Sequence, residues 1–179
     1  TFVAGSSWQP DEDLFIEYFN RHPEVKLIIA PHVIDENHLV EIIRKLKRPY
    51  VRYTRADEKN VRKADCLIID CFGLLSSIYR YGEIAYIGGG FGVGIHNTLE
   101  AAVYGIPVIF GPKYQKFQEA IHLLEAKGGF SIKSYEELKI LLDRMLGDED
   151  FLREAGKNAG AYVTDNAGTT DKVLGMINF

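Results

Sequence analysis

The sequence holds only two cysteines, Cys66 and Cys71, in 179 residues. Their spacing matches no zinc or redox motif, so buried thiols in a reducing, cytoplasmic compartment are expected. Long apolar runs are also missing. Nothing approaches the roughly 20 residues needed to span a bilayer, and no signal peptide is visible. Excess positive charge is absent too. A net charge of −4 argues against non-specific nucleic-acid binding, which relies on a basic face to neutralise phosphates. The longest basic run, "RKLKR" from Arg44 to Arg48, reads as a helix end with cations at the carboxyl-terminal dipole. A methionine start is lacking as well. "TFVAGSSW" enters directly into an apolar run, which reads as one domain cut from a longer protein.

What is present is an ordinary globular composition, 46% apolar and 26% charged, at a length suited to one buried core. Short apolar, β-branched runs alternate with amphipathic segments. The strand candidates are Phe2 to Ala4, Lys26 to Ala30, Tyr50 to Thr54, Cys66 to Asp70, Ile84 to Gly88 and Pro107 to Gly111. The helix candidates are Asp11 to Arg21, Glu36 to Leu46, Leu74 to Tyr81, Asn97 to Tyr104 and Phe117 to Lys127, followed by a mostly helical last third. Strict alternation predicts an α/β fold, a doubly wound parallel sheet with helices on both faces. Ligands of such sheets sit beyond the carboxyl ends of the strands, near the switch point. Small or polar residues collect there: "GSSW", "PH", "CFG", "GGGFGVGIHN" and "PKY" follow the first, second, fourth, fifth and sixth strands.

The fifth of these loops places five glycines within Gly88 to Gly94. Its glycines do not have the offsets of G-x-G-x-x-G, and no Gly-Lys-Ser/Thr follows, so neither the dinucleotide fingerprint nor the P-loop applies. The physics remains: bare backbone admits a ligand closely, and a helix beginning near Asn97 would point free amides and its positive end at an anion. Asn97 and Glu100 also fit an Asn-x-x-Glu capping box that merely satisfies helix donors; alternatively Glu100 accepts hydrogen bonds from a ribose. His96 either orients a phosphate or fills space. Asp11 to Asp13 and Asp148 to Asp150 each begin a predicted helix, where acidic residues favour the dipole, so no metal site is read from them.

The stretch "DCFGLLSSIYRYGEIAYIGGGF…GIHNTLEAAVYGIPVIFGP" resembles the C-terminal domain of 3-deoxy-D-manno-octulosonic acid (Kdo) transferases. The resemblance runs from "GSSW" to a terminal helix "NAGTTDKVLGMI". Family members read D-T-x-G-E-L and G-G-H-N-x-L-E where this chain has "DCFGLL" and "GIHNTLE"; His96, Asn97 and Glu100 match, whereas Leu74 replaces a glutamate and Ile95 a glycine. The family's Pro-Arg-His becomes Pro31, His32 and Val33, which loses a cation. His32, protonated beside a phosphate, is expected to stand in for it in part. Lys113 and Lys116 read as surface residues.

The resemblance implies a Rossmann-like C-terminal domain of a metal-independent GT-B glycosyltransferase, with no cofactor. Residues 1–179 would form a single nucleotide-sugar-binding domain for the donor CMP-Kdo, and an N-terminal domain outside the sequence would hold the lipid A precursor, the general base and any membrane contact. The setting implied is lipopolysaccharide biosynthesis at the cytoplasmic face of the bacterial inner membrane. Gly89, Gly90 and the Ile95–Asn97 backbone are assigned to the phosphate, Glu100 to the ribose, Gly73 and Leu74 to the base through their backbone, and Ser6, Ser7, Pro31 and His32 to the outer wall. Alternatives are another GT-B transferase, a UDP-sugar 2-epimerase, a non-catalytic nucleotide-binding module, or a structural domain whose glycines serve only turns.

Overall fold

A computed structural model describes residues 1–167. Strands β1 (Phe2–Ser7), β2 (Leu27–Pro31), β3 (Tyr50–Arg52), β4 (Cys66–Ile68), β5 (Ile84–Ile87), β6 (Val108–Phe110) and β7 (Gly129–Ser131) form one sheet in the order β3-β4-β2-β1-β5-β6-β7. Every pairing is parallel. Helices α1 (Gln9–Arg21), α2 (Glu36–Lys45), α3 (Glu58–Val61), α4 (Leu75–Ile78), α5 (Leu99–Ala102), α6 (Gln118–Glu125), α7 (Tyr135–Gly147) and α8 (Glu149–Asn166) link or follow them. The expected terminal helix beyond Ala167 lies outside the described residues.

The strand residues alternate between two cores, as a period of two demands. Phe2, Ala4, Leu27, Ile29, Ile84 and Tyr86 face Phe15 and Phe19 of α1, Leu39 and Ile42 of α2, and Leu142 of α7. Val3, Ile28, Ala30, Ala85 and Ile87 face Ile78, Ala101, Ala102 and Leu123 on the other side. Helix ends follow local chemistry. Asp35, Ser134 and Asp148 each accept a hydrogen bond from the first turn of α2, α7 and α8, as N-cap side chains do. Within the basic run, Arg44 and Lys45 close α2. Arg48 instead donates to the carbonyls of Phe19, His22 and Pro23, and so caps α1.

The six expected strands form; the seventh, β7, does not show in the sequence because Gly128 precedes it and Gly129 is its first residue. A side chain on Gly128 would stand 2.4 Å from the Ala159 backbone of α8, so packing selects glycine against strand propensity. The order of strands reverses at β1, which has β2 on one side and β5 on the other. Beyond their carboxyl ends lies the crevice where doubly wound sheets bind ligands.

Candidate functional site

The site begins where β1 stops being regular. Gly5 pairs with Ala30 and Ser7 with Pro31, which leaves Ser6 as an extra residue, at φ +51°. That kink lets Gly88, at the end of β5, press against β1: a Cβ on Gly88 would lie 2.2 Å from the Ser6 carbonyl oxygen. On the other side the His32 N–H donates to the Ser7 carbonyl, 2.9 Å. Gly5 is roofed by Leu75 and Tyr79, which brings the segment after β4 over the switch point.

Two carboxylates lie beneath this edge. Asp11 and Glu12 are both fully buried, and they correct the expectation that "DED" merely greets a helix dipole; only Asp13 is exposed, paired with Lys45. Asp11 accepts hydrogen bonds from the main-chain N–H groups of Trp8 (3.0 Å) and Gly89 (2.9 Å) and from the Tyr86 hydroxyl (2.9 Å). Burial raises its pKa despite these three donors. Glu12 accepts from the Ser7 hydroxyl at 2.9 Å and contacts His38 Nε2 at 3.0 Å; burial raises its pKa too. His38 donates through Nδ1 to the Val33 carbonyl, 2.9 Å. Burial works to lower its pKa, but the hydrogen bond and charge of Glu12, with the Val33 carbonyl, outweigh that and raise it. Nothing in the sequence separates these acids from exposed ones, because a carboxylate two residues after a helix start suits both roles.

Above the carboxylates three rings meet. Trp8 stacks on His32, centroids 4.7 Å apart, and His32 stacks on His96 at 4.4 Å. The indole Nε1–H donates to His96 Nε2 at 3.2 Å. Burial, and then the neighbouring His32, lower the His96 pKa. His32 itself is exposed. Sequence reasoning saw Trp8 only as part of "GSSW"; the clue available was a single tryptophan set directly at a strand end.

The glycine loop serves its own packing more than expected. Gly90 lies against the backbone of Gly111, where a Cβ would approach to 2.6 Å. The Gly89 N–H is used by Asp11, the His96 N–H by the Gly88 carbonyl and the Ile95 N–H by the Lys113 carbonyl. Those three amides, assigned to a phosphate from the sequence, thus already have acceptors within the protein. The helix beyond is also shorter than expected: α5 has four residues, too few aligned peptides for a substantial dipole. Asn97 precedes its N-cap Thr98, accepts from the Leu99 N–H at 3.0 Å and donates its amide to Glu100 at 3.2 Å. The Asn97–Glu100 pair is thus a side-chain bridge in place of a full capping box. Among the described residues the main-chain N–H groups of Asn97 and Thr98 have no acceptor.

The remaining residues border this centre. Asp70 holds Arg52 and the Thr54 amide and hydroxyl, which fixes the chain entering the next loop. There Gly73 takes φ +87° with nothing within 4 Å of a Cβ, Leu74 is half-buried and Phe72 is 81% exposed. Lys113 donates to the Gly92 carbonyl, and Lys116 is exposed. A cavity of about 200 Å³ lies at the opposite, amino-terminal edge, between Thr1, Glu83 and Met145, away from all of these groups.

This sheet, with its site at the β1–β5 crevice, is that of the C-terminal Rossmann-like domain of GT-B glycosyltransferases. The C-terminal CMP-Kdo binding domain of WaaA from Acinetobacter baumannii matches with a TM-score of 0.77 over 90% of this chain and 88% of that one, at 18% identity. In sequence, the chain is a homologue of the 3-deoxy-D-manno-octulosonic acid transferases. It is 33% identical over 150 residues to the one from Aquifex aeolicus, covering 80% of this chain, and 29% identical over 175 residues to the one from Chlamydia muridarum, covering 94%. The chain spans 41% and 40% of the lengths of these relatives. No protein-family model matches it.

Proposed function

We propose that the chain is the donor-binding half of an enzyme that transfers Kdo from CMP-Kdo to a lipid A precursor in lipopolysaccharide biosynthesis. The observation that carries this reading is His96 packed on Trp8 and His32 at the ends of β1 and β2, with Asn97 and Glu100 of the same family motif bridged just after it, in a homologue of Kdo transferases. The nucleoside lies along α5 with its ribose hydroxyls on Glu100. The base rests on the Gly73–Leu74 backbone, and Ser6, Pro31 and His32 form the outer wall, with Ser7 beneath. The phosphate faces His96, the free amide of the exposed Asn97, and His32, whose protonation an adjacent anion favours.

In the transfer the acceptor hydroxyl attacks the anomeric carbon of Kdo, the bond to the phosphate of CMP breaks, and a general base takes the hydroxyl proton. That base belongs to a preceding acceptor domain, as does contact with the inner membrane. Among the described residues no helix is long and apolar enough to cross a membrane. The contribution of this half is to hold the donor and to stabilise charge on the departing phosphate, a term that often dominates catalysis. Titrating the chain with CMP, UMP and GMP while following thermal unfolding tests the reading. A ligand that binds only the folded state raises its stability by mass action, about 2.7 kcal/mol at a hundredfold excess over Kd. Selective stabilisation by CMP is expected; a preference for UMP, or no response to any of the three, overturns it.

A further inference from the structure

Three rings from three separate strand ends converge on one spot. Trp8 follows β1, His32 follows β2, and His96 closes the loop after β5. The planes are close to parallel, 25° between Trp8 and His32 and 23° between His32 and His96. The hydrogen bond from Trp8 Nε1 to His96 Nε2 settles a chemical question. An indole nitrogen only donates, so Nε2 of His96 is the acceptor and carries a lone pair. The proton of a neutral His96 therefore sits on Nδ1.

The ring's orientation gives that proton a direction. The Cδ2–Nε2 edge is turned inward, with Cδ2 3.2 Å from where a Cβ of Gly89 would be. Nδ1 lies on the other edge, and among the described residues nothing accepts from it. The ionisable groups around the ring are His32 on its face, Asp11 behind the Gly89 amide, Lys113 on the Gly92 carbonyl, and Glu100 beyond Asn97. None of them is within hydrogen-bond reach of Nδ1. A half-buried histidine is thus left with one nitrogen satisfied by a tryptophan and one N–H without a protein acceptor, in the residue directly before the exposed Asn97.

We propose that Trp8 is a positioning residue: its indole N–H fixes His96 as the neutral Nδ1–H tautomer and so presents that N–H to an oxyanion of the bound ligand, the phosphate of a nucleoside monophosphate. The ligand rests on the function proposed above; the tautomer does not. Protonation of Nε2 would set two N–H groups against each other, a cost that adds to the burial and the neighbouring His32 that already lower the His96 pKa.

Trp8→Phe removes the donor while leaving a ring to stack on His32. Two readouts decide: the nitrogen chemical shifts of His96 without ligand, and the affinity for CMP by calorimetry. In the parent chain Nε2 is expected to be unprotonated and Nδ1 protonated at pH 7. In Trp8→Phe the Nε2–H tautomer should appear, the His96 pKa should rise, and CMP should bind about fivefold more weakly, the scale of one net hydrogen bond. An Nε2–H tautomer in the parent chain overturns the proposal whether or not the variant folds. So does an unchanged tautomer in Trp8→Phe, or a changed tautomer with unchanged affinity. Failure of the parent chain to bind CMP defeats the functional reading and the ligand half of this proposal, while the ligand-free shifts still decide whether Trp8 sets the tautomer.

Discussion

Ser6 stands at φ +51°, a region that disfavours residues with a side chain by roughly 1–2 kcal/mol. The strain persists because neighbours on both sides require the kink. Gly88 lies against the Ser6–Ser7 peptide, and the Ser7 hydroxyl must reach Glu12 below. Ser6→Gly removes the strain and adds back some unfolded-state entropy, so a net gain of about 0.5–1 kcal/mol in unfolding free energy is expected. Denaturant unfolding measures it; a less stable variant would show that the serine side chain itself supports the bulge. The same scale explains what was hidden at Asp11 and Glu12. Their identities and their place after a helix start are what an exposed pair would also have, and only the glycine loop lying over Asp11 and Ser7 bonding to Glu12 make them buried acceptors.

At the scale of elements, the glycine loop answers two demands that one sequence pattern cannot tell apart. Gly88 and Gly90 are needed because backbone meets backbone, whereas Gly73 is needed only for its positive φ, in open space. Gly88→Ala forces β1 and β5 apart and is expected to cost about 3 kcal/mol, the upper range for overpacking, or roughly 6–12 °C in Tm for a chain of this size. Gly73→Ala meets no atom and should cost about 1 kcal/mol, from its dihedral alone. Equal losses in the two variants, read by thermal unfolding, would sink this distinction. Helix α5 shows the converse limit of a pattern. Asn97 to Tyr104 reads as two helical turns, yet only Leu99–Ala102 is α-helical before the chain turns at Gly105, φ +68°. With so few aligned peptides, the proposed phosphate site would rest on individual donors and not on a dipole.

At the scale of the whole molecule, the Glu12–His38 pair joins α1 to α2 and, through Ser7 and Val33, to the ends of β1 and β2. Both groups have raised pKa values in the folded state. A raised group stabilises fully below its unfolded pKa and loses that contribution as pH rises through the folded value; for His38 the lower bound is about 6.5. The chain should therefore lose stability from near neutral pH upward, and His38→Gln should flatten that part of the profile. A variant with the parent's slope would assign it to other groups.

The alternation of apolar runs with amphipathic segments determined the α/β class, six of the seven strands and the edge that carries the candidate site, because periods of two and 3.6 are local properties of a chain. The "GIHNTLE" loop likewise carried His96, Asn97 and Glu100 in its own residues. Only the tertiary structure decided that β4 lies between β2 and β3, that Gly129 opens a strand, that Asp11 takes the Gly89 amide, and that Trp8, His32 and His96 stack. Each of these joins residues far apart in sequence, and such contacts are set by which backbones can approach closely and which buried polar groups then need partners.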